Sequence, residues 1–492
     1  MNKILLTVIL LCVCGVSSVF AQTNVHFLER DAISQGKWKK ILGNDARCVP
    51  GVDTVTPSEG TKLRWDTESH PYIWKEKTDD PRGVEVRTGS DERIAACRFI
   101  PEGPLAFSLD SADQVRKMTL YFCDWDRNKR SQAIRIYDEN NSLLDEIVLG
   151  SFENGVKLSW LFQGTIKVQL VPLQTAGGLN AVINGIFIDP TDEVIPPKKV
   201  MSDQPKRKIV FIAGVGSHGY DSHEHNAGSL YLAELLESVA NVDCTVCLDC
   251  IPGSALPCED ADCVVVYSDG NEIHPLIGKE EMLQAMKKRG CGFVFLHYAT
   301  VPPQQIQNNR SVSNPLVEFV KEATGAVYET YWTVNPFYTA DFNSFVDHPI
   351  TRGVKPFSLY DEWYFHLRFL NNLSTEEILK AGKDSKIVPI LSCVPPNDAK
   401  SGEDGPYSGN PTVRERNGKP EIVACAIQRE DNGRGFHFTG GDVHANLAQP
   451  DYRKILVNGI LWTAGVDIPA AGYETANPTK AKLEKNQDEL PK

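Results

Sequence analysis

The chain has 492 residues, a formal net charge of −13 and thirteen cysteines. An acidic balance of this size argues against nucleic acid as a partner, because binding phosphates requires a basic surface; a small neutral or cationic molecule fits better, carbohydrate among them. The length exceeds one ordinary hydrophobic core and suits two or three domains of about 100–200 residues each.

Residues 1–21 read as a signal peptide. Lys3 precedes an apolar run from Ile4 to Val13, and Val19-Phe20-Ala21 offers small residues for cleavage after Ala21. The run is shorter than the roughly 20 residues a spanning helix needs, and no later segment comes close. The expectation is an exported protein, periplasmic or secreted, with no transmembrane segment. Eleven of the thirteen cysteines lie beyond residue 21, an odd number that leaves at least one thiol unpaired. Cys244, Cys247 and Cys250 stand at a spacing that could suggest a metal knot. They fall in a β-prone stretch with no second pair at zinc-finger spacing, so packing or a local disulfide is the better reading.

From 24 to 190 the pattern alternates polar and apolar residues, as in Met118–Cys123, Ala133–Tyr137, Thr165–Val171 and Ala181–Ile188. Period two bounded by Gly, Asn and Asp predicts an antiparallel β-sandwich. Proline and charge without apolar period mark 191–207 as a linker. A second domain is expected over 208–466. Its apolar strands at Ile209–Ala213, Val242–Leu248, Cys263–Tyr267 and Gly292–His297 alternate with helical spacing at Leu230–Val239 and Glu280–Lys288. That grammar predicts an α/β, doubly wound parallel sheet covered on both faces. A hairpin is expected where Ile422–Ile427 turns at Asp431-Asn-Gly into Gly435–Thr439, and a helix over Tyr452–Ala464. The tail, 473–492, is poor in apolar residues and is expected to be disordered.

The chemistry concentrates in the second domain, which holds nine of the eleven histidines. His218, His274 and His444 each follow a predicted strand and His297 ends one, and ligands of an open parallel sheet bind outside the carboxyl ends of its strands. The densest stretch, Ser217-His218-Gly219-Tyr220-Asp221-Ser222-His223-Glu224-His225-Asn226, carries imidazoles and carboxylates, the usual ligands of borderline divalent ions. His218, His223, His225 and His444 are therefore candidate ligands for a divalent metal, zinc ranking first, and no nucleotide cofactor is indicated. Glu224, Asp269 and Glu362 remain equal candidates for moving a proton, with His297 beside them at the sheet edge. Tyr298, Trp363 and Asp442 are the candidate substrate contacts, since aromatic faces stack on sugar rings and carboxylates accept from hydroxyls. His366 and His437 sit inside aromatic or strand patterns and read as packed.

Taken together, Gly214-x-x-Ser-His-Gly-x-x-x-His-Glu-His-Asn, Leu296-His-Tyr-Ala, His348-Pro-Ile-Thr-Arg-Gly, Asp361-Glu-Trp-Tyr and Gly435-Phe-His-Phe-Thr-Gly-Gly-Asp-Val-His resemble the ThuA-like (trehalose utilisation) domain of the class I glutamine-amidotransferase-like superfamily. The resemblance implies a flavodoxin-like sheet and a role in disaccharide catabolism through keto-sugar intermediates. It also implies a nucleophile elbow near His297-Tyr298-Ala299, where no cysteine stands; Cys291 lies at the other end of that strand, so glutamine-amidotransferase chemistry is not expected. Asp442 occupies a position where the resemblance implies a second histidine, which weakens a two-histidine ligand set but leaves a carboxylate able to bind metal. In the first domain, Gly36-Lys-Trp-Lys, Leu120-Tyr-Phe-Cys-Asp-Trp-Asp-Arg and Asn180-Ala-Val-Ile-Asn-Gly-Ile-Phe resemble galactose-binding-like modules, which leaves Asp124, Trp125 and Arg127 open as sugar contacts.

Two functions follow from these readings. One is an exported enzyme acting on a sugar or 3-keto-glycoside with a divalent metal; the other is a non-catalytic carbohydrate-binding protein. A hydrolase using Ser217 is disfavoured, because no Gly-x-Ser-x-Gly elbow surrounds it.

Overall fold

The computed structural model describes residues 23–55, 60–86, 91–112, 114–173, 180–196 and 204–490. The expected signal peptide lies outside the described residues, as does 197–203 of the expected linker.

The N-terminal domain is β-rich. One sheet orders its strands Asn24–Asp31, Val156–Gln163, Arg116–Phe122, Gly185–Pro190, Ala46–Val49 and Asp53–Val55. Facing it are Leu143–Leu149, Ser131–Tyr137, Thr165–Leu173, Leu105–Asp110 and Lys62–Trp65. Leu120, Leu158 and Trp160 of the first layer share a buried core with Phe107, Ile134 and Val168 of the second. The alternation read from the sequence is what places these side chains inward. The loop left open as a sugar contact is braced internally. Arg130 pairs with both Asp124 and Asp126, and the Arg82 guanidinium lies 4.6 Å over the Trp125 ring.

In the C-terminal domain five strands run parallel, in the order Val242–Cys250, Arg207–Gly214, Cys263–Tyr267, Gly292–Leu296 and Arg434–Phe438. The sheet is nevertheless mixed rather than wholly parallel, because Glu421–Gln428 and Ile387–Cys393 continue it antiparallel. The cause is the hairpin at Asp431-Asn-Gly, which reverses the chain inside the sheet. Residues 209–213 are all buried because alternate side chains face opposite helix layers. Ile209 and Phe211 pack with helices His225–Val239 and Pro450–Thr463. Val210 and Ile212 pack with Glu280–Lys288 and Pro315–Thr324. The last of these helices is capped by Asn314, which accepts from the Leu316 and Val317 amides, and is stopped by Gly325 at φ 89°.

Two further features depart from the sequence reading. The domains do not have separate sheets: Leu143–Leu149 pairs in parallel with Val242–Cys250, Val148 opposite Cys247, giving one twelve-stranded sheet. Joining two edges in this way removes the unpaired backbone that each would otherwise expose. The tail is also ordered over its described residues, 473–490. It forms the helix Lys480–Glu484 and buries Leu483 and Gln487; its few apolar groups understate its packing because polar side chains hold it down. All eleven described cysteines are free thiols, ten of them buried. Cys247 and Cys258 pack as small apolar groups in the core.

Candidate metal centre

Four loops leave the carboxyl edge of the parallel strands side by side, and each delivers one polar group to a common point. The loop after Arg207–Gly214 brings His223, the turn after Cys263–Tyr267 brings Asp269, the end of Gly292–Leu296 brings His297, and the loop after Arg434–Phe438 brings Asp442. Glu362 enters from the side, at the end of Phe357–Glu362, a strand paired with Phe337–Phe342. His223, His297, Glu362 and Asp442 each offer a ligand atom, all within 4.8 Å of one another.

Both imidazoles are oriented from behind. His223 Nδ1 lies 2.5 Å from Asp269 Oδ1. His297 Nδ1 lies 2.9 Å from the Thr439 carbonyl, which can only accept, so Nδ1 carries the proton and Nε2 presents a lone pair. That Nε2 faces His223 Nε2 at 3.1 Å, Tyr364 Oη at 3.2 Å, Glu362 Oε2 at 3.6 Å and Asp442 Oδ2 at 3.9 Å. His223 Nε2 is also 3.0 Å from Asp442 Oδ2. Both histidines hold left-handed backbone, φ 53° at His223 and 51° at His297, at a cost of order 1–3 kcal/mol each. His297 is thus the residue of a sharp elbow between a strand and the 3-10 turn His297–Thr300.

The electrostatics divide the groups. Burial works against a charged His223, but hydrogen bonds to Asp269 and Asp442 outweigh it and raise this imidazole to about 9. Burial, reinforced by the neighbouring His223, holds His297 neutral, down at about 3. Burial raises Glu362 to about 7, with the Asp442 charge adding to it. Asp269 is buried too, yet the His223 hydrogen bond holds it down at about 2.

Of the expected ligands, His223 stands in the centre. His218 is exposed, its ring centroid 3.8 Å from that of His223, and it forms a second group with His223 and Asp269. His225 and His444 are turned elsewhere. His225 Nδ1 bonds the Val215 carbonyl at 3.2 Å, and its Nε2 stops 3.6 Å from Asp269. His444 Nε2 bonds the Leu483 carbonyl at 3.0 Å. His274, also expected at this edge, is buried against the Ala299 carbonyl. Glu224 lies outside this cluster, its carboxylate accepting from the Asp488 amide at 2.9 Å. Tyr298 remains at the rim, its hydroxyl accepting from Asn271 Nδ2 at 2.8 Å. His366 and His437 are buried, as packed histidines should be.

Trp363 was expected to offer a face to sugar but is fully buried. It packs on Phe342, Phe438 and Tyr452 and on Gly440, which has no room for a Cβ beside the indole. Glu362 and Tyr364 reach the centre while the residue between them points into the core, the two-residue alternation of an extended chain. Trp363→Ala should therefore cost about 3–5 kcal/mol of stability, read as a lower midpoint in chemical denaturation.

Sequence reasoning missed three supporting groups. Asn335 Nδ2 donates to Glu362 Oε1 at 2.8 Å and leaves Oε2 to the centre. Asp361 accepts from the amides of Gly441, Asp442 and Val443 and so fixes the Asp442 loop. Tyr364 places its hydroxyl on His297. Asp361 and Tyr364 flank Glu362 in the Asp361-Glu-Trp-Tyr motif, which was their only signal; Asn335 had none.

Among solved structures the chain is similar to a ThuA-like protein from Bacteroides uniformis, at 14% identity and a TM-score of 0.34, over 55% of this chain and 97% of that one. It is similar to a second ThuA-like protein, from Parabacteroides merdae, at 12% identity and a TM-score of 0.33, over 57% of this chain and 100% of that one. A carbohydrate-binding module in complex with β-1,4-galactotriose aligns at 10% identity and a TM-score of 0.17, over 27% of this chain and 88% of that one. No curated protein matches the chain. The family model described as ThuA, trehalose utilisation, matches residues 214–463, about half of the chain and all the loops that build the centre, and the protein belongs to that family.

Proposed function

We propose that this is an exported protein of carbohydrate catabolism whose C-terminal domain binds a divalent cation, zinc first, among His223, His297, Glu362 and Asp442, and acts on a sugar or keto-glycoside. The observation that carries the reading is the pair of Nε2 atoms 3.1 Å apart, each on an imidazole whose Nδ1 is already committed to an oxygen. Ligating histidines characteristically have this second partner, which fixes ring orientation and tautomer. A neutral His297 with its Nε2 lone pair aimed at His223, beside the carboxylates of Asp442 and Glu362, calls for a positive charge at this point. In the free protein a proton on His223 can serve, and a divalent ion would replace it. The N2O2 donor set suits zinc and its neighbours in the first transition row.

When bound, such an ion polarises a carbonyl or hydroxyl oxygen. The chain's own groups do the rest. Asp269 and the Thr439 carbonyl keep the imidazoles aimed, while Glu362, raised to about 7 by burial in the cation-free protein, exchanges a proton near neutral pH where the other three donors hold the ion. Tyr298 at the rim offers a ring face to sugar. Proton transfer next to a ketone suits isomerisation, hydration or cleavage of a 3-keto-glycoside. The parallel strand order, second-first-third-fourth-fifth, supports a flavodoxin-like reading of this domain, and the facing β-layers support a galactose-binding-like reading of the other.

An NMR time course with trehalose and its 3-keto form tests the activity. Turnover of the keto form that depends on added cation supports the proposal; binding without turnover of either favours a non-catalytic carbohydrate-binding protein. Asp269→Asn should weaken cation binding about 10–100-fold, as loss of a histidine's outer partner does, measured by competition with a chelating dye.

A further inference from the structure

We infer that Arg30 of the N-terminal domain and the C-terminal segment 480–490 form a brace that holds the 215–226 histidine loop in its cation-binding conformation, with Arg30 and Asp488 as positioning residues. This inference rests on the cation reading above.

The loop has two residues in left-handed backbone, Asp221 at φ 67° and His223 at φ 53°. Conformations of that kind persist only where the surroundings over-determine them. On one side the loop is tied to the Asp442 loop: the His223 amide donates to the Asp442 carbonyl, and the His444 amide to the Asp221 carbonyl. On the other side the partner is the tail. Glu484 accepts from the Tyr220 hydroxyl at 3.3 Å, Gln487 Oε1 accepts from the Asp221 amide at 3.2 Å, and the Asp488 amide donates to Glu224 at 2.9 Å. Asp488 also lies so close to Gly216 that no Cβ fits there. The Leu483 carbonyl bonds His444, which is why that histidine is absent from the centre.

Arg30 locks the tail and the loop to the first domain. It is buried and holds Asp249 through two hydrogen bonds, at 2.7 and 3.2 Å, and Asp488 at 2.6 Å. Its own amide donates to Asn486 at 2.7 Å. Asp249 in turn exchanges two hydrogen bonds with Asn226, at 2.9 and 3.0 Å, three residues beyond His223. A single guanidinium thus ties one carboxylate that anchors the end of the loop to another on the strap over its middle. Bidentate, charge-assisted bonds of this type fix geometry as well as adding attraction.

The test uses cobalt(II) as the probe, with the full chain, a chain ending at Thr479 and an Arg30→Gln variant. Titration is followed by visible absorption, and hydrogen exchange is followed over 215–226. Both variants should bind cobalt(II) at least about tenfold more weakly, with an altered absorption band. Exchange over 215–226 should accelerate about tenfold while strands 207–214 and 263–267 stay protected. Affinity within about twofold of the full chain and unchanged loop exchange would overturn the brace. Should the truncated chain lose protection in its strands as well, Arg30→Gln decides by the same two readouts. Should the full chain bind no cobalt(II), the cation reading falls, and loop exchange alone decides the brace, acceleration supporting it and no change refuting it.

Discussion

His297→Ala should abolish tight cation binding while leaving the domain folded. Its Nε2 is the atom on which His223, Glu362, Asp442 and Tyr364 converge, all within 3.9 Å. Loss of an outer partner to a ligand costs about 10–100-fold, so loss of the ligand itself should cost at least about 10³-fold in affinity. The fold should survive at a cost of about 1–3 kcal/mol for each buried group left without this partner, the Thr439 carbonyl and the Tyr364 hydroxyl. Isothermal titration with zinc, beside a thermal melt of each protein without metal, separates the two effects. His223→Ala should behave alike in titration.

Glu362→Gln should lower turnover of a keto-glycoside about 10²–10⁴-fold, the span that general acid–base groups contribute. Burial and Asp442 raise this carboxyl to about 7, so near neutral pH it can both give and take a proton. Glutamine keeps the size and the contact with Asn335 but cannot do either. A cation bound to Glu362 itself would depress this carboxyl, so the proton role requires His223, His297 and Asp442 to hold the ion; the comparison belongs at saturating cation, where kcat reports the proton and not occupancy. An unchanged kcat at saturation would reassign proton transfer to another group.

The parts of this architecture that are periodic were legible in the sequence. Strands at Cys263–Tyr267 and Gly292–Leu296, the helix Glu280–Lys288 and the hairpin around Asp431-Asn-Gly follow from apolar period and turn chemistry alone. The edge of the sheet that carries polar groups followed from strand direction. What depended on the far end of a side chain did not follow. His225 stands in the same motif as His223, and His444 in that of Asp442, yet one nitrogen of each meets a backbone carbonyl, of Val215 and of Leu483 in the tail. Trp363 lies between two site residues and points the other way. The tail itself was unreadable for a related reason. It is held by Arg30, Asn486, Gln487 and Asp488 through polar bonds spanning more than 250 residues of chain, and composition registers only apolar content.

The most direct measurement is the metal content of the full chain, purified without chelator and assayed by elemental analysis beside His297→Ala. The proposed centre predicts about one equivalent of a divalent ion in the full chain, lost from the variant, with the full chain's melting temperature falling on chelation and returning on adding zinc. Contradiction would be a full chain without stoichiometric metal whose melting temperature does not respond to zinc. In that case the convergence of His223, His297, Glu362 and Asp442 serves a proton alone.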